Sequence, residues 1–291
     1  EMQRSLVGSE MCIRDSAKVD FDLEKVCFEG PDETLNQTQY TQPCMVAFAT
    51  GVTEVLQEKG VRPSVTAGLS LGEYSALHAS GVLDPATAIE LVAFRGKAMA
   101  EAVQGRLSAM AAIFMLGREE LQACCDAASH LGVAEIANLN CPGQIVIGGD
   151  ALAVEEAGCL ALEAGARRVI PLKVSGPFHT SLMAPAGRAL EERLKGVEFG
   201  PMEVPTLFNC LGGPMREGDT IPGLLVRQVQ NSVHMEDSIR FLEAQGVDTV
   251  VEIGPGKALS GFVKKTAKGI KTYAVETAED LEHVVSVLKG A

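Results

Sequence analysis

Apolar and polar positions alternate along the chain in patterns that predict helices and strands before any single residue is weighed. From Pro43 to Lys59, Val46, Ala49, Val52, Val55 and Leu56 recur near helical spacing. Pro43 takes a first-turn position, where its missing N–H does no harm, and Gly60 ends the helix. Val65 to Leu69 is a short apolar run that predicts a buried strand, and Leu71 to Ala79 predicts a helix directly behind it. Ser70 is left on the corner. Asp84-Pro85 caps and opens a further helix that carries Glu90, Arg95 and Met99.

Between Ser108 and Val174 the units shorten. A strand (Ala109 to Leu116) precedes a helix (Arg118 to Ala128), two strands (Val133 to Asn138, Gln144 to Ile147), a helix (Leu152 to Ala164) and a strand (Arg167 to Leu172). That βαββαβ order is the ferredoxin-like split unit, set as an insertion in a larger α/β domain. Beyond it come a helix from Ser181 to Lys195, a strand at Thr206 to Phe208, a helix pair between Pro222 and Gln245, a strand from Thr249 to Ile253 and two closing helices. Strands alternating with helices predict an α/β fold with a mostly parallel sheet covered on both faces. The domains expected are 17–104 with 176–291 for the large α/β-hydrolase-like part and 105–175 for the small one.

Composition then narrows the function classes. With 291 residues, 46% hydrophobic and 22% charged, the chain has the make-up of a globular protein with room for one large and one smaller domain. A net charge of −13 argues against a nucleic-acid surface, which needs clustered Lys and Arg. The eight cysteines form no C-x-x-C pair and no zinc-type spacing with histidine, so reduced thiols and no metal are expected. No run approaches the roughly 18 apolar residues of a membrane span, and a cytoplasmic monomer without membrane contact is expected.

Gly68-Leu69-Ser70-Leu71-Gly72 fits a nucleophile elbow, in which serine sits on a strained strand-to-helix turn and small flanking residues let the chain pass closely. The Leu71 N–H, at the helix start, is placed to hold an oxyanion. Serine needs a base, and five histidines compete. His78, His130 and His283 fall on or beside helices and are expected at the surface. His234 has no accompanying loop signal. His179 lies in Gly176-Pro177-Phe178-His179-Thr180, between a strand and a helix, where function concentrates, although a packed or capping role fits it as well. Arg95, as a helix arginine, is ordinarily a solvated side chain. Its alternative role is specific: a guanidinium can grip a carboxylate through two parallel hydrogen bonds.

Six motifs carry a resemblance. They are Gly30-Pro31 with Leu35-Asn36-Gln37-Thr38 and Thr41-Gln42-Pro43, Ser70-Leu71-Gly72-Glu73-Tyr74-Ser75-Ala76, Arg95-Gly96-Lys97, Asn138-Leu139-Asn140 with Pro142-Gly143-Gln144, Gly176-Pro177-Phe178-His179, and Glu252-Ile253-Gly254-Pro255-Gly256-Lys257. In that order the chain resembles the bacterial malonyl-CoA:acyl carrier protein transacylase family from about Ala17 onward. The resemblance implies that Ser70 takes malonyl from coenzyme A as an ester, that His179 relays the proton, and that Arg95 grips the malonyl carboxylate. It places Asn140 and Phe178 at the substrate, with Phe178 narrowing the pocket against methylmalonyl. It implies that a backbone carbonyl, at Gln228, orients the histidine in place of an aspartate. The implied partners are a coenzyme A thioester and an acyl carrier protein with its phosphopantetheine thiol, with no cofactor. Arg167, Arg168, Lys264 and Lys265 are candidates for a basic landing area for the acidic carrier. Gly254-Pro255-Gly256 reads as a structural turn, with Lys257 in reach of a phosphate.

Two departures stand against the family pattern. Residues 1–16 lack the Gly-Gln-Gly-x-Gln segment whose glutamine supplies a second oxyanion donor, so they read as foreign or divergent sequence, and an impaired enzyme is one expectation. Leu69 stands where many relatives have histidine. Alternatives carried are a serine hydrolase or thioesterase, a catalytically impaired remnant, a non-catalytic scaffold or carrier-binding remnant, and the acyltransferase part of a larger synthase.

Overall fold

A computed structural model describes residues 19–290 of the chain, so the expectation for residues 1–16 lies outside the described residues. In chain order the elements begin with α1 (Leu23–Glu29), α2 (Asp32–Leu35), α3 (Thr38–Glu58), β1 (Thr66–Ala67), α4 (Gly72–Ala79) and α5 (Pro85–Ala102). The split unit follows as β2 (Ser108–Phe114), α6 (Arg118–Ala128), β3 (Ala134–Cys141), β4 (Gln144–Asp150), α7 (Ala151–Glu163) and β5 (Arg168–Pro171). Then come α8 (Ala184–Leu194), β6 (Thr206–Leu207), α9 (Ile221–Gln230), α10 (Met235–Ala244), β7 (Thr249–Ile253), α11 (Ala258–Thr266), β8 (Lys271–Val275) and α12 (Ala278–Lys289). The fold is mixed α/β with parallel and antiparallel sheets. No helix among the described residues is long and apolar enough to cross a membrane.

The chain divides into two units. Among the described residues, the first comprises 19–96, 198–207 and 242–290. Among the described residues its parallel pairs are β1 with β6 and β7 with β8, each a two-stranded ladder. Val52 and Leu56 of α3, Val275 of β8, and Leu281 and Val284 of α12 form a shared core. A capping box at Thr277 and Asp280 starts α12.

The second unit comprises 97–197 and 208–241 and contains the predicted βαββαβ order. Its sheet runs β3-β4-β2-β5, antiparallel throughout. Successive strand residues face opposite sides. Ala111 and Ile113 of β2 join Leu121 and Cys125 of α6 and Val154 and Ala157 of α7 in one core. Met110 and Ala112 join Ala137, Val146 and Phe178 in another. The loop that carries His179 is thereby seated on the sheet through its phenylalanine neighbour.

Several expectations are corrected. The helix predicted from Pro43 begins at Thr38, and Pro43 lies inside it. Near the same end of the helix, Thr41 Oγ1 donates to the carbonyls of Leu35 and Gln37. The strand before Ser70 has only two residues. The helix expected from Ser181 opens as a 3-10 turn over Ser181–Met183, and the α-helix starts at Ala184, with Pro185 in its first turn. A strand, β8, lies between the two closing helices and was not expected.

Asp150 ties the split unit together. Its carboxylate accepts from Arg106 Nε at 2.7 Å and Nη2 at 2.9 Å, and from the Val133 N–H at 2.8 Å. The Arg106 guanidinium, helped by that N–H, holds its pKa below the ordinary aspartate value. A depressed carboxyl stabilises the fold above the unfolded-state pKa, and that contribution is lost as pH falls through the folded-state value. Asp150→Asn is therefore expected to lower stability by about 1 kcal/mol at pH 7 and by much less at pH 3. Urea melts at both pH values check this, and an equal deficit at both would contradict it.

Candidate active site

In the first unit, β1 ends at Ala67 and α4 begins at Gly72, so only Gly68 to Leu71 make the corner. Ser70 holds φ +54°, a left-handed conformation that L-residues adopt at an energetic cost of about 1–3 kcal/mol. A Cβ at Gly68 would overlap the carbonyl group of Gly72, whereas a Cβ at Gly72 would meet nothing within 4 Å. Only the first of the two glycines is sterically required, which narrows the expectation from the motif. The N–H groups of Gly72, Glu73 and Tyr74 donate to the carbonyls of Leu69, Ser70 and Leu71. The Leu71 N–H donates to no acceptor among the described residues, as an oxyanion donor must.

Arg95 is not a solvated helix residue. It is 1% exposed, and its Nη2 donates to Ser70 Oγ at 3.0 Å. Its Nη1 donates to Oε1 of Gln42 at 2.6 Å, and its guanidinium carbon lies 5.9 Å from the centroid of the Tyr74 ring. Burial lowers its pKa, while interactions with Tyr74 and Glu73 raise it. Arginine nonetheless stays protonated in proteins, so a fixed positive charge lies beside the Ser70 hydroxyl. Gln42, which the sequence reading placed in a motif without a role, is 3% exposed. Its Nε2 donates to Thr38 Oγ1 at 2.8 Å, which leaves Oε1 to face the guanidinium. Its position in the Thr41-Gln42-Pro43 motif was the only available signal.

In the second unit, His179 is 4% exposed with φ +61°. Its Nδ1 lies 2.9 Å from the carbonyl oxygen of Gln228, itself buried in α9. A carbonyl only accepts, so Nδ1 carries the hydrogen and the neutral ring keeps its lone pair on Nε2. That is the tautomer a general base needs. Thr180 Oγ1 donates to the Pro177 carbonyl at 2.6 Å and closes the loop. Phe178 is half-buried against Met110, Ala112, Ala137 and Val146. Asn140 is buried on β3, and its Oδ1 finds no partner among the described residues.

Thus Ser70, Leu71, Arg95 and Gln42 belong to one unit, and His179, Gln228, Phe178 and Asn140 to the other. Of the remaining histidines, His130 and His283 are exposed as expected. His78 is half-buried, with Nδ1 donating to the Leu83 carbonyl at 3.0 Å, which corrects its expected surface placement. His234 Nδ1 lies 3.1 Å from Asp237 Oδ2. The turn at Gly254 is no phosphate cradle, because the Glu252 carboxylate already accepts the N–H groups of Leu259 and Ser260 at 3.0 and 2.7 Å. Lys257, Lys264, Lys265, Arg167 and Arg168 are exposed.

The family described as acyl transferase domain matches residues 9–286. Malonyl CoA-acyl carrier protein transacylase of Bacillus subtilis is 45% identical over 268 residues, 92% of this chain and 84% of that protein. The crystal structure of malonyl CoA-acyl carrier protein transacylase from Clostridium perfringens matches with a TM-score of 0.94 at 37% identity, covering 99% of this chain and 93% of that one. A malonyl-transacylase in complex with its type II PKS acyl-carrier protein matches with a TM-score of 0.92 at 38% identity, covering 99% and 92%.

The elbow's asymmetry is testable. Gly68→Ala is expected to destabilise the protein by about 1–3 kcal/mol or more through backbone overlap. Gly72→Ala, at a helix start with open space, should be neutral or stabilising by up to about 1 kcal/mol. Thermal melts of the two variants check this, and equal midpoints would show that the elbow relaxes freely.

Proposed function

The chain belongs to the acyl transferase domain family, and on that premise we propose that it moves malonyl from coenzyme A to an acyl carrier protein through an ester on Ser70. The observation that carries the proposal is the buried Arg95 guanidinium donating to Ser70 Oγ, a charge set beside the nucleophile that a plain esterase does not need. In the first half-reaction Ser70 Oγ attacks the thioester carbonyl while His179 Nε2 takes the hydroxyl proton. The oxyanion forms against the Leu71 N–H. The carbon–sulfur bond then breaks, and His179 returns the proton to the coenzyme A sulfur. In the second half-reaction the carrier's phosphopantetheine thiol gives its proton to His179 and attacks the ester carbonyl. Ser70 leaves with the proton restored, and malonyl remains on the carrier as a thioester.

Arg95 pairs with the malonyl carboxylate and so selects acyl groups with a free acid end. Phe178 narrows the space beside the α-carbon, and Asn140 offers its unpartnered Oδ1 to the substrate. Gln228 presents a neutral carbonyl to His179, which stabilises imidazolium less than a carboxylate does. This helps the acyl-enzyme wait for a thiol instead of activating water. Arg167, Arg168, Lys264 and Lys265 supply positive charge for an acidic carrier, and their charge reversal is expected to raise the carrier's KM without changing that of malonyl-CoA.

Intact mass after incubation with malonyl-CoA is expected to show one malonyl adduct that is absent in Ser70→Ala and removed by adding carrier protein. An adduct that discharges equally fast in buffer alone would favour a hydrolase. Gln228→Ala keeps the carbonyl and should leave kcat within a few-fold of the parent, whereas a loss of about 10³-fold would mean the side chain is the partner.

A further inference from the structure

Gln42 and Gly96 lie one residue or one contact away from Arg95, and neither is accounted for by acyl transfer as derived above. Gly96 follows Arg95 on α5. A Cβ there would come within 2.8 Å of the Thr38 carbonyl oxygen and 2.9 Å of Gln39 Cα, both backbone atoms at the start of α3. Backbone cannot swing aside as a side-chain tip can, so the absence of a side chain at Gly96 is what lets the first turn of α3 rest on α5. That same turn carries Gln42 on its next coil, and Thr38 fixes it twice. The Thr38 backbone lies against Gly96, and the Thr38 hydroxyl accepts from Gln42 Nε2 at 2.8 Å. With its nitrogen so engaged, the amide must turn Oε1 toward Arg95, which it meets at 2.6 Å. A guanidinium has no acceptor, so only this orientation of the amide satisfies both neighbours.

We propose that Gly96 and Gln42 are positioning residues that set the donor specificity of the site: they hold the Arg95 guanidinium by Nη1 in the orientation it takes beside Ser70, the one in which it meets the substrate carboxylate. The substrate class this favours is an acyl thioester with a free carboxylate over a neutral one of similar length. Without the Gln42 acceptor the planar fork loses one of the hydrogen bonds that fix its direction. Binding a carboxylate would then require ordering the side chain first, which weakens carboxylated donors and leaves neutral donors less affected. This inference rests on Arg95 being the carboxylate-binding group.

The test compares Ser70 acylation rates from malonyl-CoA and from acetyl-CoA, read by intact mass, in the parent chain, Arg95→Ala, Gln42→Leu and Gly96→Ala, with a thermal melt on each. The malonyl-to-acetyl ratio is expected to fall in all three, by about tenfold in Gln42→Leu, the worth of one charge-assisted hydrogen bond. A merely structural role would lower both rates together and leave the ratio alone. A parental ratio in folded Gln42→Leu, with the ratio lost in Arg95→Ala, would overturn the inference. A parental ratio in Arg95→Ala would overturn the assignment of Arg95 on which it rests. Should Gly96→Ala fail to fold, Gln42→Leu alone decides.

Discussion

A guanidinium buried beside the serine hydroxyl is the constraint around which the first unit is organised. Taking such a charge out of water costs several kcal/mol unless its donors are satisfied. Here Gln42 Oε1 and Ser70 Oγ accept from it, while Tyr74 and Glu73 act on it electrostatically. Those four groups come from α3, the elbow and α4, so the arginine can be buried only if three segments arrive together. Gly68 admits the close passage of the elbow, and Gly96 admits the approach of α3. Two glycines therefore do for this site what large side chains do for a hydrophobic core.

The second unit meets a different demand, which is to hold one imidazole in one tautomer. The Gln228 carbonyl achieves this without a negative charge. Ser70 and His179 both occupy left-handed backbone conformations. Two strained residues in non-regular segments, each fixed by the elements on either side, are a recurrent mark of functional sites. Phe178 anchors the histidine loop on the sheet face that α6 and α7 leave uncovered, so the split unit's second face has a purpose that its strand order alone does not reveal.

Legibility followed the range of the interactions involved. The βαββαβ order, the elbow at Ser70 and the loop at His179 depend on residues close in sequence, and periodicity and motif spacing report them directly. Arg95 looked ordinary because its burial depends on Gln42, 53 residues away. Gln42 itself lies inside a helix that the sequence pattern starts five residues late, at Pro43, because proline ordinarily takes a first-turn position. The strand at Lys271–Val275 gives little periodic signal because it is short, half-exposed and flanked by two strong helices. Its pairing partner Thr249–Ile253 lies beyond an intervening helix, so no local pattern announces the ladder. Gly68 and Gly72 are equivalent in the motif, and only three-dimensional crowding separates them.

The most direct test of the central claim, that a fixed buried charge beside Ser70 chooses the acyl group, is a competition. The parent chain is mixed with equal concentrations of malonyl-CoA and acetyl-CoA, and the masses of the acylated enzyme are followed from the first turnover. Arg95 as selector predicts a malonyl adduct that forms first and predominates, without acetyl-enzyme building up beside it. Equal accumulation of both adducts would contradict the claim and return Arg95 to a purely structural role.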